Sequence, residues 1–257
     1  MLIKEQRMLN KIPANKLQWL AVILLVLYPL AILAARLEVM HFRNSFLIFI
    51  ISALIGFAVL VLSIFKLSKG QDGESKALLV AIVCTAIPLG LLGSNIIKAR
   101  TLPFIHDITT DIQNPPQFKA ATTLRGAGDH PVEYDSSMNS QLQVAGYPDL
   151  TTLELNQPVE SVVAQAQQIV HDMGWDVVAT NTTQSPFTIE AVDTSALFGF
   201  KDDIVIRIEA FTTPEQNVDV PAKTRVDVRS MSRVGKSDLG ANAARIESFL
   251  DTLQNRF

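Results

Sequence analysis

A short stretch near the C-terminus collects side chains that could do chemistry. Residues 228–246, VRSMSRVGKSDLGANAARI, contain three serines, three arginines, two glycines and an asparagine. Guanidinium groups and the free backbone N–H groups of a helix start both bind anions. With one arginine of the preceding strand, the candidate ligand-binding residues are Arg207, Arg229, Ser230, Ser232, Arg233, Gly235, Lys236, Ser237, Asn242 and Arg245.

The same arginines have a second interpretation, because aspartates lie close to them in the sequence. A buried guanidinium without a partner costs several kcal/mol, so nearby carboxylates are expected to pair with it. The candidate members of such a structural ionic cluster are Asp202, Asp203, Asp227 and Asp238. The stretch would then be an internal clasp between the last strand and the last helix, with Ser237 as the helix N-cap.

Other chemistries have weaker signals in this sequence. GKS at 235–237 does not make a phosphate-binding loop, because Ser230 stands where the first glycine is needed and no βαβ pattern surrounds it. A hydrolase or transferase would have to use Ser230, Ser232 or Ser237 with Asp203 or Asp227. His106, Asp107 and Asp111 are weak candidates for a metal site, which normally needs three or four convergent ligands. We expect no cofactor.

The hydrophobic periodicity predicts the elements that must position these residues. An amphipathic helix begins near Asn156 and ends at Gly174, and four segments with strand character follow, before a final amphipathic helix. The pattern predicts an α+β domain over residues 151–257, with an antiparallel sheet of about four strands and two helices on one face. The strands are predicted at 175–180, 187–192, 203–211 and 224–232, and the last helix at 237–254.

One face of this sheet is predicted to be charged. It would carry Glu190, Arg207, Glu209, Asp227 and Arg229. The favoured interpretation is a solvated ladder of paired charges, which contributes little stability. The alternative is a polar groove covered by residues 101–150, an irregular segment rich in Gly, Pro, Ser and Asp that is expected to wrap the domain.

The first hundred residues predict a membrane anchor. Three runs at 17–35, 46–65 and 77–97 contain no charge and have the length of about 20 residues that crosses a bilayer as a helix. Seven positive residues flank one side, at positions 4, 7, 11, 16, 66, 69 and 76, and four flank the other, at 36, 43, 98 and 100. The excess predicts a cytoplasmic N-terminus, residues 1–16, and a periplasmic C-terminal domain in an inner membrane.

Charge is divided unequally along the chain. Residues 1–102 carry +7 and residues 103–257 carry −10, which gives the net charge of −3. An acidic domain repels phosphate backbones, so we expect no nucleic-acid partner. With one cysteine, Cys84, an intramolecular disulfide is excluded.

Three blocks of sequence resemble a known family. IHDITTD with PP after it, IEAVDTSALFGFKDDIVIRI, and RVDVRSMSRVGKSDLGANAARI are similar to the domain-of-unknown-function family 1499 over residues 103–257. The resemblance implies an envelope or membrane-associated protein, found mostly in bacteria, and supplies no activity, cofactor or catalytic residue. The positions that match the family's motifs are His106, Asp107, Asp111, Asp202, Asp203, Arg207, Asp227, Arg229, Ser230, Ser232, Arg233, Gly235, Ser237, Asp238, Asn242 and Arg245.

The sequence therefore leaves three functions open, in order of preference. The first is a membrane-anchored module that binds an anionic small molecule, a lipid headgroup or an envelope protein. The second is a scaffold within a membrane complex, and the third is the hydrolase or transferase. The lipid bilayer is the one partner that the sequence predicts directly, and the oligomeric state stays open.

Overall fold

The computed structural model describes residues 12–70, 73–211 and 223–257. The chain divides into two compact units, one containing the three long helices with the short segment Ala196–Gly199, and one made of Ala99–Ser195 with Phe200–Phe257. Lys4, Arg7 and Lys11, which contribute to the predicted orientation, lie outside the described residues.

The described residues of the first unit contain three apolar helices. They are α1 (Ala14–Arg36), α2 (Phe42–Ser68) and α3 (Ser75–Ala99). Each is long and apolar enough to cross a membrane, with a mean hydropathy of 2.3, 3.0 and 2.2 in its most apolar part. The three predicted spans are therefore confirmed as helices of the required length and composition.

The second unit is an α+β domain. Its helices are α4 (Ala121–Leu124), α5 (Ser136–Gly146), α6 (Val159–Asp172) and α7 (Ala241–Gln254). Its strands are β1 (Asp107–Thr109), β2 (Leu153–Leu155), β3 (Asp176–Asn181), β4 (Phe187–Thr194), β5 (Lys201–Phe211) and β6 (Lys223–Ser232).

The sheet is antiparallel, as predicted, but the described part of the domain contributes six strands to it where the sequence predicted about four. The strand order is β1-β6-β5-β4-β3, and β2 also pairs with β6. The two additional strands have three residues each, which is too short for alternation to be recognised. Strand β6 consequently holds three partners: β1 and β2 along one side and β5 along the other.

Helices α6 and α7 cover one face of the sheet, which we call the helix face. Its apolar side chains come from alternate positions of β4, β5 and β6, as in the register pairs Ala191–Ile204 and Ile206–Val228. These side chains form one core with buried residues of the two helices, which are Val162, Val163, Ala166, Ile169 and Val170 on α6 and Ala243, Ile246, Phe249 and Leu253 on α7.

The opposite face of the sheet, which we call the covered face, is enclosed by residues 111–134. Phe118, Ala121 and Val132 of this segment pack against Val205 and Met231 of the sheet. Glu190, Arg207, Asp227 and Arg229 are buried there, so the favoured interpretation of a solvated charge ladder is wrong for these four side chains. Glu209, the fifth residue predicted for this face, is half-buried and accepts hydrogen bonds from the exposed Arg225 at 2.9 and 2.6 Å.

The last helix begins later than the sequence predicted. Residues 237–240 are not helical: the chain turns at Leu239 and Gly240, which have positive φ angles of 55° and 82°. Helix α7 therefore starts at Ala241 with Gly240 at its N-cap position. The first long helix of the domain, α6, ends as predicted: Gly174 follows it with a φ of 71°, a conformation that glycine adopts without strain.

Candidate functional site

Arg229 occupies the centre of the covered face. Its side chain is fully buried, and its Nε and Nη2 atoms donate to the two carboxylate oxygens of Asp107 at 2.9 and 2.8 Å. The guanidinium also lies over the rings of Phe118 and Tyr134, 4.8 and 5.3 Å from their centroids. Its charge is thus neutralised within the chain, with aromatic contacts that add cation–π attraction.

Arg207 lies on the same face and holds two carboxylates. Its Nη2 atom donates to Asp227 at 2.7 Å and to Asp111 at 2.9 Å. Burial alone would lower the pKa of Arg207, but its hydrogen bonds and charge contacts with these aspartates raise the pKa above its ordinary value. The pKa of Asp111 is lowered: burial acts against this, but hydrogen bonds from the amides of Asn114 and Gln113 and from Arg207 prevail.

A third ion pair lies at the end of the covered face. Asp203 is fully buried and accepts hydrogen bonds from Arg233, with Nη2 at 2.7 Å, and from Nε of Arg125 at 2.8 Å. The carboxylate of Glu190 accepts hydrogen bonds from the backbone amides of residues 119–121 at 3.0–3.1 Å. These contacts hold the covering segment on the sheet.

A separate polar network lies on the helix face and joins β6 to α7. Ser230 Oγ donates to Asn242 Oδ1 at 2.7 Å, and Asn242 Nδ2 donates to Ser232 Oγ at 3.1 Å. Arg245 donates to Ser230 Oγ at 3.0 Å and to Asp202 at 2.7 Å. Its Nη2 atom is also 2.7 Å from the carboxylate of Asp193.

Asp238 satisfies the start of α7. Its two carboxylate oxygens accept hydrogen bonds from the amides of Gly240 and Asn242 at 2.9 and 2.8 Å. Its side chain thus supplies the capping hydrogen bonds that the sequence assigned to Ser237, although Gly240 occupies the N-cap position; Ser237 Oγ accepts from the amide of Leu239 at 3.3 Å. Burial raises the pKa of Asp238, although the two amide hydrogen bonds oppose that shift.

The turn between β6 and α7 leaves two of the candidate residues exposed. Gly235 and Lys236 lie at the surface, unlike the arginines on either side of them in the motif. Two histidines pack behind this turn: the rings of His106 and His130 stack with their centroids 4.0 Å apart. His130 Nε2 donates to the carbonyl of Gly235 at 2.8 Å.

The environment of His106 disfavours the charged form of its ring. Burial lowers the pKa of His106, and the neighbouring His130 and Arg125 lower it further. The charge of Asp107 and a hydrogen bond with the backbone of Lys236 act in the opposite direction but do not prevail. A positive charge on the His106 ring therefore costs more here than in water.

The candidate metal ligands are engaged elsewhere. Asp107 binds Arg229, and Asp111 binds Arg207 and the amides of Gln113 and Asn114. Within residues 12–70, 73–211 and 223–257, no group of three or more His, Cys, Asp or Glu side chains is placed to hold a metal ion.

The structure brings the candidate residues together in two groups rather than one. Arg207, Arg229 and Arg233 lie on the covered face, and Ser230, Ser232, Asn242 and Arg245 on the helix face, because adjacent strand residues point to opposite sides. Arg125 and Asp193 are partners that sequence reasoning missed. Arg125 lies in a Gly-rich stretch without periodicity. Asp193 lies near the end of β4, and nothing in the sequence around it indicates Arg245 as its partner.

These features define the class of protein: three membrane-length helices followed by an α+β domain whose charged motif residues form internal ion pairs and hydrogen bonds. Residues 107–253 match the family model described as protein of unknown function (DUF1499). The match covers more than half of the chain, so the protein belongs to this family, as the motif resemblance indicated. A comparison with curated proteins gives no match.

Proposed function

We propose that this is an inner-membrane protein, with its N-terminus in the cytoplasm and its domain in the periplasm, whose domain binds an anionic phosphate group at the membrane surface. The phosphate could belong to a lipid headgroup or to a free anion. The charge excess on the cytoplasmic flanks supports the orientation. The membrane-length helices support a lipid environment for the ligand.

One observation carries the assignment of the site. Among the candidate cations of the motif, Lys236 is exposed, whereas Arg207, Arg229, Arg233 and Arg245 each bind an aspartate of the same chain. In this proposal the four arginines hold the fold and Lys236 contacts the ligand. An ammonium group on a flexible stem suits a phosphate whose position varies.

The hydroxyl groups of the motif favour binding over catalysis. Ser230 and Ser232 are buried and hydrogen-bonded to Asn242. Either hydroxyl would have to break this hydrogen bond before it could attack a substrate. Their positions on the helix face also separate them from Asp203 and Asp227, the bases that a hydrolase would need.

Thermal unfolding of the full-length protein in a nonionic detergent tests the proposal. We expect dioctanoyl phosphatidylglycerol to raise Tm and dioctanoyl phosphatidylcholine to leave it unchanged. A ligand at about 100 times its Kd stabilises by about 2.7 kcal/mol, or about 5–11 °C in a domain of this size. An equal shift with inorganic phosphate would identify a free anion as the ligand.

Two variants make the test specific. Lys236→Gln should lose the response to phosphatidylglycerol, and the matched control Lys119→Gln, at another exposed lysine, should keep it. If the two lipids shift Tm equally, or if Lys236→Gln responds like the parent protein, the proposed site is refuted.

A further inference from the structure

We propose that Phe104 and Leu239 form an apolar docking surface through which the domain contacts the lipid bilayer. This inference rests on the proposed membrane-surface function and extends it to a site without charge. The two side chains are 65% and 54% exposed, which is unfavourable for large apolar groups that face only water.

The two residues belong to neighbouring segments of the domain. The amide of Asp238 donates to the carbonyl of Ile105 at 3.1 Å, which ties the turn before α7 to the segment after α3. Leu102 packs on the same turn, because a Cβ atom placed on Gly240 would lie 3.1 Å from Cδ1 of Leu102. These two contacts hold the segment that carries Phe104 next to the turn that carries Leu239.

The backbone conformation at Leu239 is unusual for a leucine. Its φ of 55° lies in the left-handed region, which favours glycine or asparagine. A leucine there combines backbone strain with exposure to water. An apolar environment outside the domain would remove the exposure of this side chain to water.

The position of the surface along the chain identifies the bilayer as its occupant. Helix α3 ends at Ala99, and the amide of Leu102 donates to the carbonyl of Ala99 in the turn that follows. Phe104 is the fifth residue beyond the helix, so it lies at most about 18 Å from the helix end. The candidate span within this helix is Ser75–Ser94, so the connection is short enough for Phe104 to reach the headgroup layer, where aromatic side chains are favoured.

Charge complementarity supports the same occupant. Arg100 and Lys236 are exposed and lie within four residues of Phe104 and Leu239 in the chain, while residues 103–257 carry −10 overall. An anionic membrane surface attracts this basic edge and repels the rest of the domain. A second copy of the chain would instead bring two basic edges together.

Site-directed spin labelling of the full-length protein in nanodiscs tests the proposal. In a Cys84→Ser background, single cysteines replace Phe104, Leu239 or the control residue Val177. Val177 is apolar and 51% exposed, and it lies on β3, the edge strand opposite β1. We expect labels at 104 and 239 to show a severalfold higher ratio of oxygen to aqueous nickel-complex accessibility than the label at 177.

Nanodiscs with and without anionic phospholipid separate this inference from the proposed function. Immersion of both labels in both compositions supports the docking surface. Labels at 104 and 239 as accessible to the nickel complex as the label at 177 would overturn it, and protection from both reagents would overturn it in favour of a protein contact. Immersion that requires anionic lipid but persists in Lys236→Gln supports the docking surface with its basic edge. Immersion that is lost in Lys236→Gln would overturn the docking surface and leave the headgroup site intact.

Leu239→Gly provides a control against a purely structural role. Glycine relieves the positive φ, so the variant should remain folded with an unchanged or raised Tm. We expect it to reduce the immersion of a label at position 104. Full immersion of that label in a stably folded variant would remove Leu239 from the docking surface and refute the two-residue proposal.

Discussion

The fully buried pair of Asp107 and Arg229 gives the strongest stability prediction. Asp107→Asn keeps the side-chain shape but leaves the guanidinium without a counterion. The structure has two charge-assisted hydrogen bonds in this pair, at 2.9 and 2.8 Å, each worth about 1.5–3 kcal/mol. Loss of one partner of a buried pair costs about 3–5 kcal/mol, so we expect Tm to fall by about 6–20 °C.

The fluorescence of Trp175 reports this transition, because its ring is buried in the core and stacks on Phe249 with centroids 5.8 Å apart. The matched control is Arg225→Gln, which breaks an exposed ion pair and should cost at most about 1 kcal/mol. If Asp107→Asn costs no more than this control, the argument that the covered face depends on its internal ion pairs is refuted.

Two further predictions concern the turn before α7. The pKa of His106 is lowered in the folded protein, so the unfolded chain binds a proton at this residue more readily. The stability that depends on neutral His106 is therefore fully present above the unfolded pKa of about 6.5 and should decline as pH falls below it. Tm measured between pH 8 and pH 5 should show this loss, and His106→Gln should reduce it; a pH profile identical to that of the parent would contradict the assignment. Asp238→Ala should lower the free energy of unfolding by about 0.5–2 kcal/mol, because it removes the side chain that caps α7. Asp238→Asn should lower it less, because burial already disfavours the charged carboxylate. Chemical unfolding of the two variants measures both losses. Equal losses in the two variants would contradict that explanation.

Periodicity predicted the long elements of the domain. The stripe on α6 and the alternation of β4, β5 and β6 were sufficient because each repeats over several residues. Helix α5 was missed because Ser136–Gly146 is rich in serine and glutamine and has a weak apolar stripe. The start of α7 was misplaced because the positive φ of Leu239 has no signal in a leucine.

The burial of the charged face could not be read from alternation. A strand whose charges face water and a strand whose charges face internal counterions have the same pattern. The deciding partners are distant in sequence: Asp107 is 122 residues from Arg229, and Asp111 is 96 residues from Arg207. Two of the ion pairs involve aspartates that the sequence had named as candidate partners: Asp203 contacts Arg233, and Asp227 contacts Arg207.

The pairing of β6 with β1, β2 and β5 has a consequence for biosynthesis. Three neighbouring strands precede it in the chain, so they emerge from the ribosome before the strand that joins them. Until residue 232 has been made, β1 and β2 lack their ladder partner and the arginines of β6 cannot pair with their aspartates. Nascent chains arrested before residue 223 should therefore be protease-sensitive beyond the membrane, while chains that include α7 should resist digestion.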